Sequence, residues 1–293
     1  MKLARSRALA AIGPIAMLCS LGSLPVLAQD DTIVVEAMRE ADPEEVRSQA
    51  HAITPRAGSL GEPLARFHQP ICAGVWGLSP DSAQLIIDRI YYNAERFGVA
   101  VNDTPGCKAN LVAIFIANAH SQFADLRKGN HRLVEGLDLW ERKRVADQDG
   151  VALAWNAVST LTRDGQGRLG NPPVFDTTQA SRLETAIMRA IDISVVMIDA
   201  RAIAGKDGVA VADYVTMRAL AQTRIPAPQD TSYDTSYDTI LSLFDESRQA
   251  PAQLTDFDRA YLASLYAGRA NRPDNQALRN IARLMVEGSE KGR

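Results

Sequence analysis

Four charged residues lie in or beside two apolar segments of the chain. Asp199 and Arg201 follow a run of six residues that is almost continuously apolar, and Asp213 and Arg218 interrupt the next apolar segment. A charge buried without a partner is costly, so such side chains either pair with one another or line a polar site. The sequence leaves two interpretations open: an internal ion-pair network that fixes helix to strand, or a polar pocket that binds a small ligand.

A predicted strand and a predicted helix position these residues. Segment 193–198 is almost continuously apolar, which is typical of a strand covered on both faces. Segment 209–222 is apolar nearly all round, as expected of a helix in the protein interior. Asp199 and Arg201 then lie just beyond the carboxyl end of the strand, where open α/β sheets place ligands.

The first 28 residues have the features of a secretory signal peptide. The basic residues Lys2, Arg5 and Arg7 precede an apolar stretch over 9–24, and small residues suit cleavage after Ala28. We therefore predict a periplasmic or secreted protein, with an N-terminal membrane anchor as the alternative. Nothing later in the sequence is long and apolar enough to cross a bilayer.

Export determines how the cysteines are interpreted. Cys19 leaves with the signal peptide, and only Cys72 and Cys107 remain. Two cysteines in an oxidising compartment predict one disulfide. A two-cysteine metal site would need further ligands, and His68 is the only nearby candidate.

The charge of the mature chain excludes one class of partner. After cleavage, 29 Lys and Arg remain against 35 Asp and Glu, a formal net charge of −6. A mildly acidic chain without a basic block lacks the electrostatic signature of nucleic-acid binding. It also gives no reason to expect binding to anionic membranes.

The remaining pattern predicts an α+β fold with a mixed sheet. A semi-extended segment at 67–78, a capped helix over 79–98 and a buried strand at 111–116 form an N-terminal strand–helix–strand unit. A short strand is also predicted at 99–101, and another over 151–160. The region 129–149 is charged and less periodic, so no element is predicted there.

The C-terminal part is predicted to be helical. Thr255 and Asp258 form a capping-box-like helix start, and a last helix is predicted from Asp274 to Gly288. We predict a single domain over 29–288, with two lobes at 29–130 and 150–288 as an alternative. Segment 225–239, which contains the tandem repeat TSYDTSYD, is predicted to be a flexible surface loop.

Several segments together resemble a group of exported Gram-negative bacterial proteins of unknown function. The segments are RFHQPIC at 66–72, PGCKANL at 105–111, ADYVTM at 212–217 and LTDFDRAYL at 254–262. The resemblance covers most of the mature chain. It implies export and a Cys72–Cys107 pair, and it brings no activity.

A more distant resemblance is to zincin-type metallopeptidases. They place a metal-binding helix after a sheet strand, much as 209–222 follows 193–198, and that helix carries His-Glu-x-x-His. Here the corresponding segment is Asp213-Tyr214-Val215-Thr216-Met217, without a histidine. The resemblance therefore implies at most the scaffold.

Other motifs support neither a cofactor nor a metal. Segment 165–170 matches the dinucleotide fingerprint Gly-x-Gly-x-x-Gly, but Asn171 and two prolines follow instead of the helix that would receive the pyrophosphate. His131 and Glu135 are spaced to share a helical face, with His120 as the only nearby third ligand. We predict no cofactor and no metal.

The function predicted from these patterns is non-catalytic. We expect an exported protein that binds a small ligand or an envelope protein, with Asp199, Arg201, Asp213 and Arg218 as candidate ligand-binding residues. The alternative is a hydrolase on a degenerate zincin-like scaffold.

Overall fold

The computed structural model describes residues 41–55, 61–170, 183–226 and 237–291, together with residues 174, 180 and 181. The predicted signal peptide, its cleavage site and most of the predicted surface loop lie outside the described residues. Within the described ranges, no helix combines the length and hydropathy needed to cross a membrane.

A four-stranded mixed sheet forms the centre of the fold. Its strands are β1 (Ala73–Trp76), β2 (Leu111–Ile116), β3 (Ala152–Thr162) and β4 (Ile187–Asp199), in the spatial order β1-β2-β4-β3. β1, β2 and β4 run parallel, and β3 is antiparallel to β4. The α+β class and the mixed sheet are therefore confirmed.

The predicted strand–helix–strand unit is confirmed as β1, α2 (Pro80–Arg96) and β2. Ser79 is the N-cap of α2, and Gly98 follows the helix with a φ of 73°, a conformation that glycine adopts without strain. A disulfide joins Cys72, next to β1, to Cys107 in the loop before β2. The crosslink ties the entrance of the unit to its last strand, as predicted.

Helix α6 (Gly208–Leu220) is the buried central helix. The side chain of its N-cap, Asp207, accepts a hydrogen bond from the Val209 N–H at 2.7 Å. All residues from 210 to 220 are buried. Because the helix is apolar nearly all round, packing on every side removes its apolar surface from water, and the predicted burial is confirmed.

Helices cover both faces of the sheet. On β4, Val196 and Ile198 belong to one core cluster and Val195 and Met197 to the other, which follows from the alternation of side chains along a strand. The first cluster includes residues of α1 (Pro43–Ile53), α2, α6, α7 (Asp256–Tyr266) and α9 (Ile281–Lys291). The second includes residues of α3 (Ala119–Lys128), α4 (Arg132–Glu135) and α5 (Leu139–Ala146). The two segments offered as lobes each contribute two strands to this one sheet.

Helix α5 lies in the charged region where no element was predicted. Its sequence shows little apolar periodicity, but Asp138 and Glu141 form a capping box at its start. The Asp138 carboxylate accepts the Glu141 N–H at 2.7 Å, and Glu141 accepts the Asp138 N–H at 2.9 Å. The cap satisfies two backbone donors, which explains how a short polar segment becomes helical here.

Two further predictions of local structure are wrong. Segment 99–101 forms a single bridge, between Val101 and Ile71, instead of a strand. The last predicted helix is divided into α8 (Asp274–Ala277) and α9, and α9 continues past Gly288. A glycine inside a helix costs only about 1 kcal/mol, which is too little to end one by itself. The capping box of Thr255 and Asp258 is present as predicted.

Candidate functional site

The four candidate residues do not form one constellation. Asp199 ends β4, and its Oδ1 accepts the Ala119 N–H at 2.6 Å, so it caps the start of α3. Arg201 lies exposed in the following 3-10 turn. Asp213 and Arg218 both lie on α6, but no hydrogen bond or ion pair within the described residues joins any two of the four. The predicted ion-pair network between helix and strand is therefore wrong.

Asp213 is a fully partnered charge. Its side chain is completely buried, and the Arg89 guanidinium of α2 donates to both of its oxygens, at 2.7 and 2.8 Å. Asn93 Nδ2 and the Leu254 N–H add hydrogen bonds of 2.7 Å each. The carboxylate thus joins α2, α6 and the segment before α7. Its partner comes from another helix because α2 packs directly against α6.

Arg218 is equally buried but poorly partnered. It is 2% exposed, and Nη2 donates to Gln148 Oε1 at 2.6 Å. Nε and Nη1 have no hydrogen-bond partner, and neither has the hydroxyl of Tyr214 one turn earlier. Burial lowers the pKa of Arg218 and Tyr214 raises it, but a guanidinium stays protonated in proteins. Within the described chain, this buried cation therefore lacks a counter-charge.

Gln148 cannot supply the missing charge, and its position is fixed by β3. Its Nε2 donates to the Ala154 carbonyl at 2.7 Å, and its Oε1 accepts the Ala154 N–H at 3.1 Å. The side-chain amide thus pairs with the backbone of β3 as a neighbouring strand would. The oxygen that faces Arg218 is therefore already shared with a backbone donor.

A cleft of about 800 Å³ lies where helices from both faces of the sheet meet. Basic side chains from three elements line it: His51 of α1, Arg144 of α5, and Arg224 after α6. Asp274 of α8 is the only carboxylate among its described lining residues. The other lining residues are Ser48, Ala52, Thr54, Pro55 and Leu278.

The backbone around the cleft is firmly anchored. The Arg224 N–H donates to the Ile53 carbonyl at 2.7 Å, which holds the segment after α6 against the end of α1. The Thr54 hydroxyl is bound to the Ala50 carbonyl at 2.6 Å and to the Tyr261 hydroxyl at 2.7 Å. These hydrogen bonds fix the end of α1 and the segment after α6, which carry His51 and Arg224.

A second cavity, of about 400 Å³, has polar groups that are already paired. Glu184 is among its lining residues. That carboxylate binds Arg163 at 2.9 Å and also forms an ion pair with Arg269. Glu184 is therefore not an unpaired charge that a ligand could bind.

The candidate metal ligands are used for other purposes. His120 Nε2 contacts the Gly150 carbonyl at 3.0 Å, and His131 Nδ1 accepts the Leu133 N–H at 3.2 Å, capping α4. Cys72 and Cys107 are bonded to each other, which confirms the predicted disulfide. Across the described ranges, no group of three or more His, Cys, Asp or Glu residues is placed to hold a metal ion.

Sequence reasoning missed the surroundings of Arg218 and the residues of the cleft. Tyr214 lies four residues before Arg218, so helical spacing alone places the two on one face. The cleft residues His51, Arg144 and Arg224 come from three distant segments, and their spacing carries no signal.

No family model, curated protein or solved structure matches the chain. The zincin-like scaffold stays a prediction.

Proposed function

We propose that this protein is an exported, non-catalytic binding protein whose ligand is a small anion held in the cleft of His51, Arg144 and Arg224. The observation that carries the proposal is the convergence of three basic side chains from separate elements. The whole chain has a formal net charge of −3. A local excess of basic groups on an acidic protein attracts anions to that place.

The shape and chemistry of the cleft suit a small molecule. Ligand sites typically enclose about 300–1,000 Å³, and this cleft has a volume of about 800 Å³. Guanidinium groups bind carboxylates and phosphates through charge-assisted hydrogen bonds, so an organic acid or a phosphorylated compound fits best.

Arg144 is available for such a ligand. Its nearest ionic partner is Glu141, at 3.8 Å, and both side chains are partly exposed. Exposed pairs at this distance contribute well under 1 kcal/mol, so the existing contact competes weakly with a bound anion. Asp274, on the same cleft, would repel a second negative group and would accept a hydrogen bond from a ligand hydroxyl.

The proposed location is the periplasm or the cell exterior. The basic and apolar N-terminal residues support export, and the Cys72–Cys107 disulfide suits an oxidising compartment.

Calorimetric titration of the mature chain with citrate and with inorganic phosphate tests the proposal. We expect one of the two to bind, and Arg144→Gln to weaken binding at least tenfold, since one charge-assisted hydrogen bond contributes about 1.5–3 kcal/mol. Lys143→Gln is the matched control: Lys143 is the neighbour of Arg144 on α5, is paired with Asp147, and is not among the cleft residues. The control should bind as the wild type does.

A second signal comes from Trp140. This side chain is 72% exposed and lies one turn before Arg144, so its fluorescence should change when the cleft is occupied. Trp140→Phe should remove the fluorescence change and keep the heat of binding. The proposal is wrong if neither anion binds, or if Arg144→Gln and Lys143→Gln bind with equal affinity.

A further inference from the structure

The buried guanidinium of Arg218 lacks a counter-charge within the described chain, and a ligand in the cleft would not supply one. Arg218 lies on α6 inside the core, and it is not among the residues that line the cleft. Asp213, the carboxylate on the same helix, is already bound by Arg89 and Asn93. A buried ion without a partner costs several kcal/mol, so a structure rarely keeps one unless something neutralises it.

The unpartnered atoms around Arg218 carry four hydrogen-bond donors. Nε carries one N–H, Nη1 carries two, and the Tyr214 hydroxyl carries one O–H, and none of these atoms has a partner. The nearby acceptor, Gln148 Oε1, already receives hydrogen bonds from Arg218 Nη2 and from the Ala154 N–H. A site with surplus donors and one positive charge is complementary to an anion and repels a metal ion.

We infer that a small inorganic monoanion of the chloride type binds inside the protein between Arg218 and Tyr214. The anion accepts hydrogen bonds from both side chains and neutralises the guanidinium. Because α6 is buried from 210 to 220, the inferred ligand is a single atom and not an organic acid. A water molecule would satisfy some of the donors but would leave the charge uncompensated.

Binding to the folded state alone makes stability depend on the anion. For one such site above its dissociation constant, the ratio of folded to unfolded protein rises tenfold for each tenfold increase in free anion. Urea unfolding of the mature chain should therefore show this rise as sodium chloride replaces sodium gluconate at constant ionic strength. Constant ionic strength removes the general screening effect of salt from the comparison.

Variants identify the site. Arg218→Met should abolish the chloride dependence and Tyr214→Phe should weaken it. Arg201→Met, which removes an exposed arginine just after β4, should keep the dependence in full. Arg144→Gln should also keep it, which separates this site from the cleft.

Crystals grown in bromide provide the test that does not depend on a variant folding. Bromide replaces chloride and scatters anomalously, so a peak is expected between the Arg218 guanidinium and the Tyr214 hydroxyl. The inference is overturned if no anomalous peak lies there, or if the wild type is equally stable in chloride and in gluconate. It is also overturned if Arg218→Met folds and retains the wild-type chloride dependence.

Discussion

Asp213 and Arg218 lie five residues apart on α6 and are both buried, but their surroundings differ in kind. Asp213 accepts four hydrogen bonds, two of them from the guanidinium of Arg89. Arg218 donates a single hydrogen bond, to the neutral amide of Gln148. Burial alone therefore does not show whether a charged side chain is compensated. Its hydrogen-bond and ion-pair partners show this.

Asp258 on α7 lies between these two cases. It is buried without a cation, but it accepts hydrogen bonds from the Thr239 hydroxyl at 2.6 Å, the Ile240 N–H at 2.7 Å and the Thr255 N–H at 3.0 Å. Its hydrogen bonds are satisfied, while its charge is not neutralised. Three buried ionisable groups in one core thus show full, partial and minimal compensation.

The largest loss of stability should follow from removing Arg89, the ionic partner of Asp213. Arg89→Met leaves a carboxylate buried beside an apolar side chain, and we expect the free energy of unfolding to fall by about 3 kcal/mol in urea titrations. This expected loss lies at the lower end of the range for breaking a buried ion pair, because the Arg89 side chain is 22% exposed and water can enter in its place. A loss below about 1 kcal/mol would show that the Arg89–Asp213 pair does not hold α2 to α6.

A smaller, pH-dependent effect is expected at Asp258. Burial raises the pKa of this carboxyl, and its hydrogen bonds oppose the rise only in part. A carboxyl that holds its proton more tightly when folded stabilises the fold while protonated. Its contribution is present below the ordinary aspartate pKa of about 4 and is lost as pH rises through the raised value.

The variant Asp258→Asn tests whether the contribution of Asp258 to stability falls as pH rises. We expect the variant to be less stable than the wild type by about 1–2 kcal/mol near pH 4, because its amide cannot accept all the donors that face Asp258. The difference between the two proteins should shrink as pH rises. A difference that grows with pH would mean that the buried carboxylate is favoured as an anion, and Asp258 would then resemble Asp213.

The core elements could be predicted from local patterns. Continuous apolar runs identified β2 and β4, and the absence of a polar face identified α6 as buried. Capping residues such as Ser79 and Thr255 located the helix starts because their side chains bind backbone N–H groups only three residues away. Such short-range interactions can be recognised from neighbouring residues in the sequence.

The partners of the buried charges could not be predicted in the same way. Arg89 and Asp213 are separated by 124 positions, and only the packing of α2 on α6 brings them together. One signal was present: Arg89 and Asn93 share the helical face of Ile86 and Ile90, so two polar side chains interrupt an apolar stripe. The pattern shows that these side chains face the core, but not which carboxylate they meet.

The central claim is that the fold neutralises the charge of Asp213 on α6 and leaves the charge of Arg218 without compensation. The most direct test is the unfolding free energy of Arg218→Met in halide-free sodium gluconate. Without an anion, replacing Arg218 removes an uncompensated charge, so the lost packing and the lost Gln148 hydrogen bond are offset. We predict a stability within about 1 kcal/mol of the wild type, well above that of Arg89→Met in the same solution. A loss from Arg218→Met as large as the loss from Arg89→Met would contradict the account.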